Sequence, residues 1–222
     1  MCGRFSLATP RDVLIEAFGA PEFAFDYRPR YNIAPTQPVA ALVRDDAGAR
    51  IGPLRWGLIP HWADDPSIGN RMINARAETV HRKPSFRSAF RRRRCLILAD
   101  GFYEWARLED GGKAPYRIRR RDERPFAFAG LWERWRPDEE GEPIHSCTII
   151  TTDARADLRD IHPRMPVILP VDDRRRWLDD DAGIDALRGL LRPYPDDDLE
   201  AYRVSTIVNS PRNDGPECFE PA

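Results

Sequence analysis

The 222-residue chain is predicted to be an α+β protein: a single domain over residues 1–222 with a curved, barrel-like antiparallel β core and peripheral helices. Three observations point there. A chain of this length can bury one substantial core, and β-rich folds of this size are commonly one domain. Proline occurs 21 times, roughly twice the share expected from an average usage of about 5%, which disfavours a helical bundle and favours short strands joined by rigid loops. Apolar runs of strand length recur through the middle of the chain and are separated by charged, glycine-bearing segments.

In chain order, Arg11 to Phe18 has the spacing of an amphipathic helix. A proline-bearing loop passes through Tyr31-Asn32-Ile33-Ala34-Pro35-Thr36, and β-branched and aromatic residues then predict strands at Val39–Val43 and Ile51–Trp56. Gly57 to Asn70 reads as a loop. Ala75–Val80 reads as a polar helix start, interrupted by Pro84 and resumed over Ser85–Arg94. Buried strands are expected at Cys95–Ala99, Gly101–Trp105, Tyr116–Arg120, Phe126–Trp132 and Cys147–Thr152. Glu109-Asp110-Gly111-Gly112 and Asp138-Glu139-Glu140-Gly141 have the composition of hairpin tips. The remainder is read as a helix near Arg155–Asp160, a strand at Met165–Leu169, helices near Asp172–Leu178 and Ile184–Leu191, and a last strand at Tyr202–Ser205. There is no internal repeat, linker or low-complexity segment.

The formal net charge is −1, so no overall field attracts a polyanion, and any nucleic-acid contact must come from local clusters. Among the basic residues only Lys83 and Lys113 are lysine. Arginine matches phosphate oxygens better, although a genome-wide codon bias gives the same composition. The four cysteines Cys2, Cys95, Cys147 and Cys218 are scattered without CxxC or His at ligand spacing, which signals neither a zinc site nor a redox pair. No metal or cofactor is expected. With no basic-then-apolar leader and no run of about 18 apolar residues, the protein is expected to be cytoplasmic, away from the membrane, with reduced thiols.

Cys2 is the most informative position. Removal of Met1 would leave a 1,2-aminothiol, whose amine condenses with an aldehyde to a Schiff base and whose thiol can close a five-membered thiazolidine. An internal cysteine cannot do this. Glu104, in Gly101-Phe102-Tyr103-Glu104-Trp105, falls on the same strand face as Phe102. A carboxyl in apolar surroundings has a raised pKa suited to general acid/base work, whereas an edge-strand glutamate would simply reach water. His162 sits between prolines in His162-Pro163-Arg164-Met165-Pro166, on a stiff loop at a strand mouth. It is placed either to transfer protons or to cap the preceding helix. His61, His81 and His145 have weaker claims. Asn74 reads as a helix N-cap, or as an amide that orients an amine. From Arg82 to Arg94 the chain carries seven basic residues and no acid. With Trp56, Trp62 and Phe86 nearby, this resembles the mixture of cations and stacking aromatics used for single-stranded DNA, although such runs are also solvated helix faces.

Together, Met1-Cys2-Gly3-Arg4-Phe5, Tyr31-Asn32-Ile33-Ala34-Pro35-Thr36, Trp56-Gly57-Leu58-Ile59-Pro60, Ile73-Asn74-Ala75-Arg76-Ala77-Glu78-Thr79, Gly101-Phe102-Tyr103-Glu104-Trp105, His162-Pro163-Arg164-Met165-Pro166 and Val208-Asn209 resemble the SRAP family, from residue 2 to about 219. The resemblance implies a barrel-like core, a positively charged cleft and covalent capture of abasic sites in single-stranded DNA during the response to DNA damage. The ring-opened abasic sugar supplies the aldehyde. By the same resemblance Cys2 is the nucleophile, Asn74 orients the terminus or the sugar, and Glu104 and His162 move protons. Arg4, Arg76 and Arg164 match positions that hold phosphates, Trp62 one that stacks at the lesion, and Pro35 and Thr151 positions lining the cleft. Minor lyase activity and release of Met1 by autopeptidase chemistry are implied, with a monomer as the working form. Two rival readings stand beside this one: an N-terminal-nucleophile thiol hydrolase of peptidase or glutamine amidotransferase type, and a non-catalytic single-strand binder.

Overall fold

A computed structural model describes residues 2–19, 23–45, 48–138, 141–195 and 197–222. The strands are β1 (Phe5–Leu7), β2 (Arg30–Ile33), β3 (Pro38–Asp45), β4 (Gly48–Trp56), β5 (Asn74–Arg76), β6 (Arg94–Ala99), β7 (Gly101–Arg107), β8 (Lys113–Arg120), β9 (Phe126–Trp135), β10 (Ile144–Asp153), β11 (Arg164–Pro166), β12 (Ile168–Leu169) and β13 (Leu199–Arg203). The α-helices are α1 (Arg11–Phe18), α2 (Arg87–Arg92), α3 (Val171–Trp177) and α4 (Ile184–Gly189).

One sheet runs β11-β10-β4-β3-β6-β9-β12, and an additional β9–β10 pairing closes β10, β4, β3, β6 and β9 into a ring. Closure leaves these five strands no open edge, the usual route by which a curled sheet hides its backbone groups. A second sheet runs β13-β8-β7-β1-β2 and lies against the ring. Phe5 joins the two: it belongs to the second sheet but packs edge-on against Trp56 at 5.1 Å and Phe128 at 5.6 Å. Burying such a ring contributes about 1.5–3 kcal/mol, which holds the chain start in place. The barrel-like α+β expectation holds, with one amendment: β10 runs parallel to both β4 and β5. Those two take the same side of β10 in succession. Arg55 and Trp56 pair with Ser146 and Cys147, the chain leaves at Gly57, and it returns so that Asn74 to Arg76 pair with Ile149 to Thr151. Gly57 can turn there because its φ is +132°, and a Cβ would stand 2.6 Å from the Gly69 oxygen.

Several local expectations are corrected. The helix start at Ala75–Val80 is strand β5 followed by turns, because pairing with buried β10 outweighs the helix propensity of Ala, Arg and Glu. The restart over Ser85–Arg94 shortens to α2, and Arg94 begins β6. Arg155–Asp160 is only a 3-10 turn over Ala156–Leu158. The strand at Met165–Leu169 is two strands, since β11 bonds β10 while β12 bonds β9. Between them Val167 donates to Ile150 and accepts from Ala129. The last strand ends at Arg203 rather than Ser205, and the proline-bearing loop contains β2. The first predicted tip joins β7 to β8 as a hairpin, while Glu139 and Glu140 of the second lie outside the described residues.

Candidate functional site

The chain start is threaded onto the second sheet. Tyr103 donates its N–H to the Arg4 oxygen at 2.9 Å and Phe5 pairs with Phe102, so antiparallel register carries Cys2 toward Glu104. Cys2 is fully buried. From the ring, Asn74 at the head of β5 donates its Nδ2 to the Cys2 carbonyl at 2.8 Å. Asn74 is therefore not the cap of a helix. Its Oδ1 is buried and accepts no hydrogen bond among the described residues.

Two electrostatic facts define this pocket. Burial pushes the Cys2 thiol far above its ordinary range, with the nearby Glu104 charge adding to the effect. Glu104 is 5% exposed, and loss of hydration raises its carboxyl from 4.5 to about 7. As alternation predicts, Phe102 and Glu104 look into one cavity, which His162 also lines. Its volume is about 10 Å³, the room of one water at most. His162 Nδ1 lies 3.0 Å from both the N–H and the carbonyl oxygen of Arg164, contacts that fix the ring in place. Burial also lowers the His162 pKa. Thus β1, β5, β7 and the loop before β11 bring Cys2, Asn74, Glu104 and His162 to one neighbourhood.

The residues expected at DNA divide. Arg76 is exposed and forms no ion pair among the described residues, and Trp62 is 49% exposed. Thr151 is buried beside Arg76 in register, with its hydroxyl unpartnered among the described residues. Pro35 is half-buried in the turn before β3, beside Thr36 at φ 72°, whose N–H is tied to Trp56 O at 2.7 Å. Arg164, by contrast, divides its guanidinium between Glu78, Asp153 at 2.8 Å and the Thr151 carbonyl at 2.6 Å. Arg4 gives Nη1 to Asn32 Oδ1 at 2.7 Å and to Val208 O at 2.8 Å, and lies 5.8 Å from the centre of the Trp105 ring. Trp105 donates in turn to Asn209 Oδ1 at 2.7 Å. This clasp between the two ends of the chain was not visible in sequence, although Asn32 and Asn209 both lie in motifs already quoted.

The basic run is also resolved. Arg82, Lys83, Arg87, Arg91 and Arg92 are exposed. Arg93 pairs with Glu133 at 2.7 Å. Arg94 is buried, holding Trp177 O at 2.7 Å, Phe90 O at 3.0 Å and Asp179 O at 2.8 Å. Among the described residues no group of three or more His, Cys, Asp or Glu could hold a metal ion, and no helix is long and apolar enough to cross a membrane. None of the four cysteines is in a disulfide, and all are buried.

Comparison with known proteins gives one answer. The family model described as SOS response associated peptidase (SRAP) matches residues 1–211. The chain is 49% identical over 223 residues to "Abasic site processing protein YoqW" of Bacillus subtilis (strain 168), covering 99% of each. It is 37% identical over 226 residues to "Abasic site processing protein HMCES" of Gallus gallus, covering 88% of this chain and 67% of that one. A solved structure from Bacteroides thetaiotaomicron superposes with a TM-score of 0.89 at 27% identity over the whole of both chains. One from Bordetella bronchiseptica gives 0.78 at 31%, over 92% of this chain and all of that one.

Proposed function

The chain belongs to the SOS response associated peptidase (SRAP) family and processes abasic sites in DNA, and we propose that it does so by crosslinking itself to the lesion in single-stranded DNA through Cys2. Met1 removal would free the Cys2 amine as a nucleophile: an α-amine has an ordinary pKa of about 7.7–8.0 and is partly neutral at cellular pH. It adds to the C1′ aldehyde of the opened sugar, and the resulting carbinolamine loses its hydroxyl as Glu104 donates a proton, leaving water, an iminium and the Glu104 carboxylate. That carboxylate takes the thiol proton as Sγ bonds to the iminium carbon. The thiazolidine closes, Glu104 regains its proton, and the net change is condensation with loss of one water.

The observation that carries the reading is a buried thiol beside a buried carboxyl whose raised pKa lets it give and take a proton near pH 7. Asn74 orients the chain start through the Cys2 carbonyl. His162, held neutral by its burial, assists opening of the sugar. Without ring closure the Schiff base would drain by β-elimination and cut the strand, so lyase activity is a minor branch that the thiol suppresses. A thiol hydrolase would need a thiolate in the resting enzyme, and burial beside Glu104 opposes one.

On the DNA side, Arg76 and the exposed Trp62 supply a phosphate contact and a stacking face, with Pro35 and Thr151 lining the path. A phosphate reaching Arg164 competes with Glu78 and Asp153, and Arg4 acts first through its clasp on Asn32 and Val208. We take the 222 residues as one domain acting as a monomer. The test uses protein whose mature terminus is verified by intact mass, incubated with an abasic single-stranded oligonucleotide. A species surviving denaturing electrophoresis, with the summed mass less one water, is expected. Complexes that all dissociate on denaturation would refute covalent capture and leave a reversible binder.

A further inference from the structure

The described residues bury three guanidinium groups almost completely, and one of them differs from the others. Arg94 lies 3.3 Å from an Asp180 carboxylate oxygen, and Arg117 lies 3.3 Å from Asp100. Arg174, 8% exposed, has no carboxylate within 4.0 Å among the described residues. Its Nη1 donates to Ala17 O at 3.2 Å and its Nε to Leu169 O at 3.5 Å, and the group stacks over Phe18 at 4.6 Å. A buried cation left without a counter-ion carries a large desolvation penalty. Consistently, burial, with the nearby Arg120 charge second, pushes Arg174 down to about 10.

This side chain faces a cavity of about 440 Å³ between α1, the β8–β9 turn and α3. Arg120 and Arg124 line the same cavity, where Glu16 is the one acid among the described residues. Arg120 is already engaged by Asp122 and Asp198, each at 2.8 Å, whereas Arg124 is 80% exposed with only a 3.8 Å approach to Asp122. The rim is apolar: Val13 and Val171, 40% and 65% exposed, are two of the four large hydrophobics left in solvent among the described residues. The cavity is remote from the reacting groups. Glu104 pairs with Tyr116 on β8, and Arg120 lies four residues on, roughly 13 Å further at about 3.3 Å per residue.

We propose that the cavity over Arg174 is a second, non-catalytic site for an oxyanion, a phosphate or carboxylate group carried next to a small apolar body. The planar guanidinium fork of Arg174 receives the two oxygens, Arg124 adds its charge from the mouth, and Val13 and Val171 cover the apolar part. The ligand supplies the negative charge that the fold withholds from Arg174.

The experiment compares the melting midpoint of the full protein in sodium phosphate, sodium acetate and sodium chloride at equal ionic strength. For an affinity of about 1 mM and a twentyfold excess, binding to the native state alone raises the midpoint by roughly 4–7 °C. Phosphate and acetate arms distinguish the two sources of the oxyanion. Val171→Glu is the decisive variant, because a glutamate three residues before Arg174 on α3 reaches it and sits at an exposed first helical position that favours an acid. It should abolish the oxyanion-specific shift while leaving abasic crosslinking unchanged. Arg174→Gln should also lose the shift, read as a difference between salts so that lower intrinsic stability does not obscure it. Arg76→Ala should keep it. No shift in the wild-type protein, an equal shift in Val171→Glu, or a shift lost only in Arg76→Ala would each overturn the proposal.

Discussion

Replacing Glu104 with glutamine should stabilise the protein above neutral pH while nearly abolishing its chemistry. Glu104 is 5% exposed, and burial raises its carboxyl from 4.5 to about 7. That gap, at 1.36 kcal/mol per pH unit, means the ionised side chain destabilises the native state by about 3 kcal/mol. The sign follows from linkage: a carboxyl with a raised native pKa favours folding below the unfolded value and loses that contribution as pH rises through the native one. Wild type should therefore fall behind Glu104→Gln between pH 4.5 and 7, and the gap should be flat above. At pH 8 the variant should melt roughly 6–12 °C higher, while crosslinking slows by about 10²–10⁴-fold, the usual size of a proton-transfer contribution. Urea denaturation of both mature proteins from pH 4 to 9, beside single-turnover crosslinking, measures both halves. A stability difference independent of pH would refute the buried-acid argument, and equal losses of crosslinking and DNA affinity would make Glu104 a structural residue.

Cys2→Ala keeps the amine and removes the thiol. It should lose the stable adduct, retain an imine trapped by borohydride and cleave more strand; an undiminished stable adduct rules out ring closure. Asn74→Ala removes the donor to the Cys2 carbonyl and should slow crosslinking about 10–100-fold at unchanged affinity, read by single-turnover rates against equilibrium binding. Arg91 and Arg94 should separate. Arg91→Ala at the exposed end of α2 should reduce the slope of log affinity against log salt by about 0.7, whereas Arg94→Ala should destabilise the fold by about 2–4 kcal/mol and leave that slope alone.

Strand periodicity found most of the ring, because β3, β4, β6, β9 and β10 are apolar runs of usable length. It failed where context outweighs composition. Asn74-Ala75-Arg76-Ala77-Glu78 has good helix formers, yet the unpaired side of β10 beyond Trp56 takes Asn74 to Arg76 as a strand. That same misreading concealed why Asn74 faces Cys2. Met165 to Leu169 reads as one strand since nothing in its composition marks the change of partner at Val167. In the basic run, spacing could not tell Arg94, which ties α2 to α3, from Arg91 and Arg92 in solvent. Glu104 was legible because alternation alone sets it beside Phe102. The clasp of Arg4 on Asn32 and Val208 was not, since its partners lie 28 and 204 residues away.

In the proposed crosslinking, the order of bond formation follows from the same burial. If sulfur attacked first, the site would have to hold a thiolate ready, and it does the reverse: desolvation and the Glu104 charge both keep the proton on Sγ. Nitrogen must therefore open the reaction. Dehydration of the carbinolamine leaves Glu104 as a carboxylate beside the thiol at the moment the iminium forms, so the acceptor for the thiol proton and the electrophile that sulfur needs are present together only then. This makes ring closure conditional on an aldehyde having been captured, and it protects a buried thiol from alkylation or oxidation beforehand. Iodoacetamide supplies the check: at pH 7.5 the DNA-free protein should leave Cys2 unmodified for times in which a model peptide beginning Cys-Gly reacts fully. Labelling of Cys2 at the peptide's rate would mean that sulfur is ionised and accessible from the start, and the nitrogen-first order would fail.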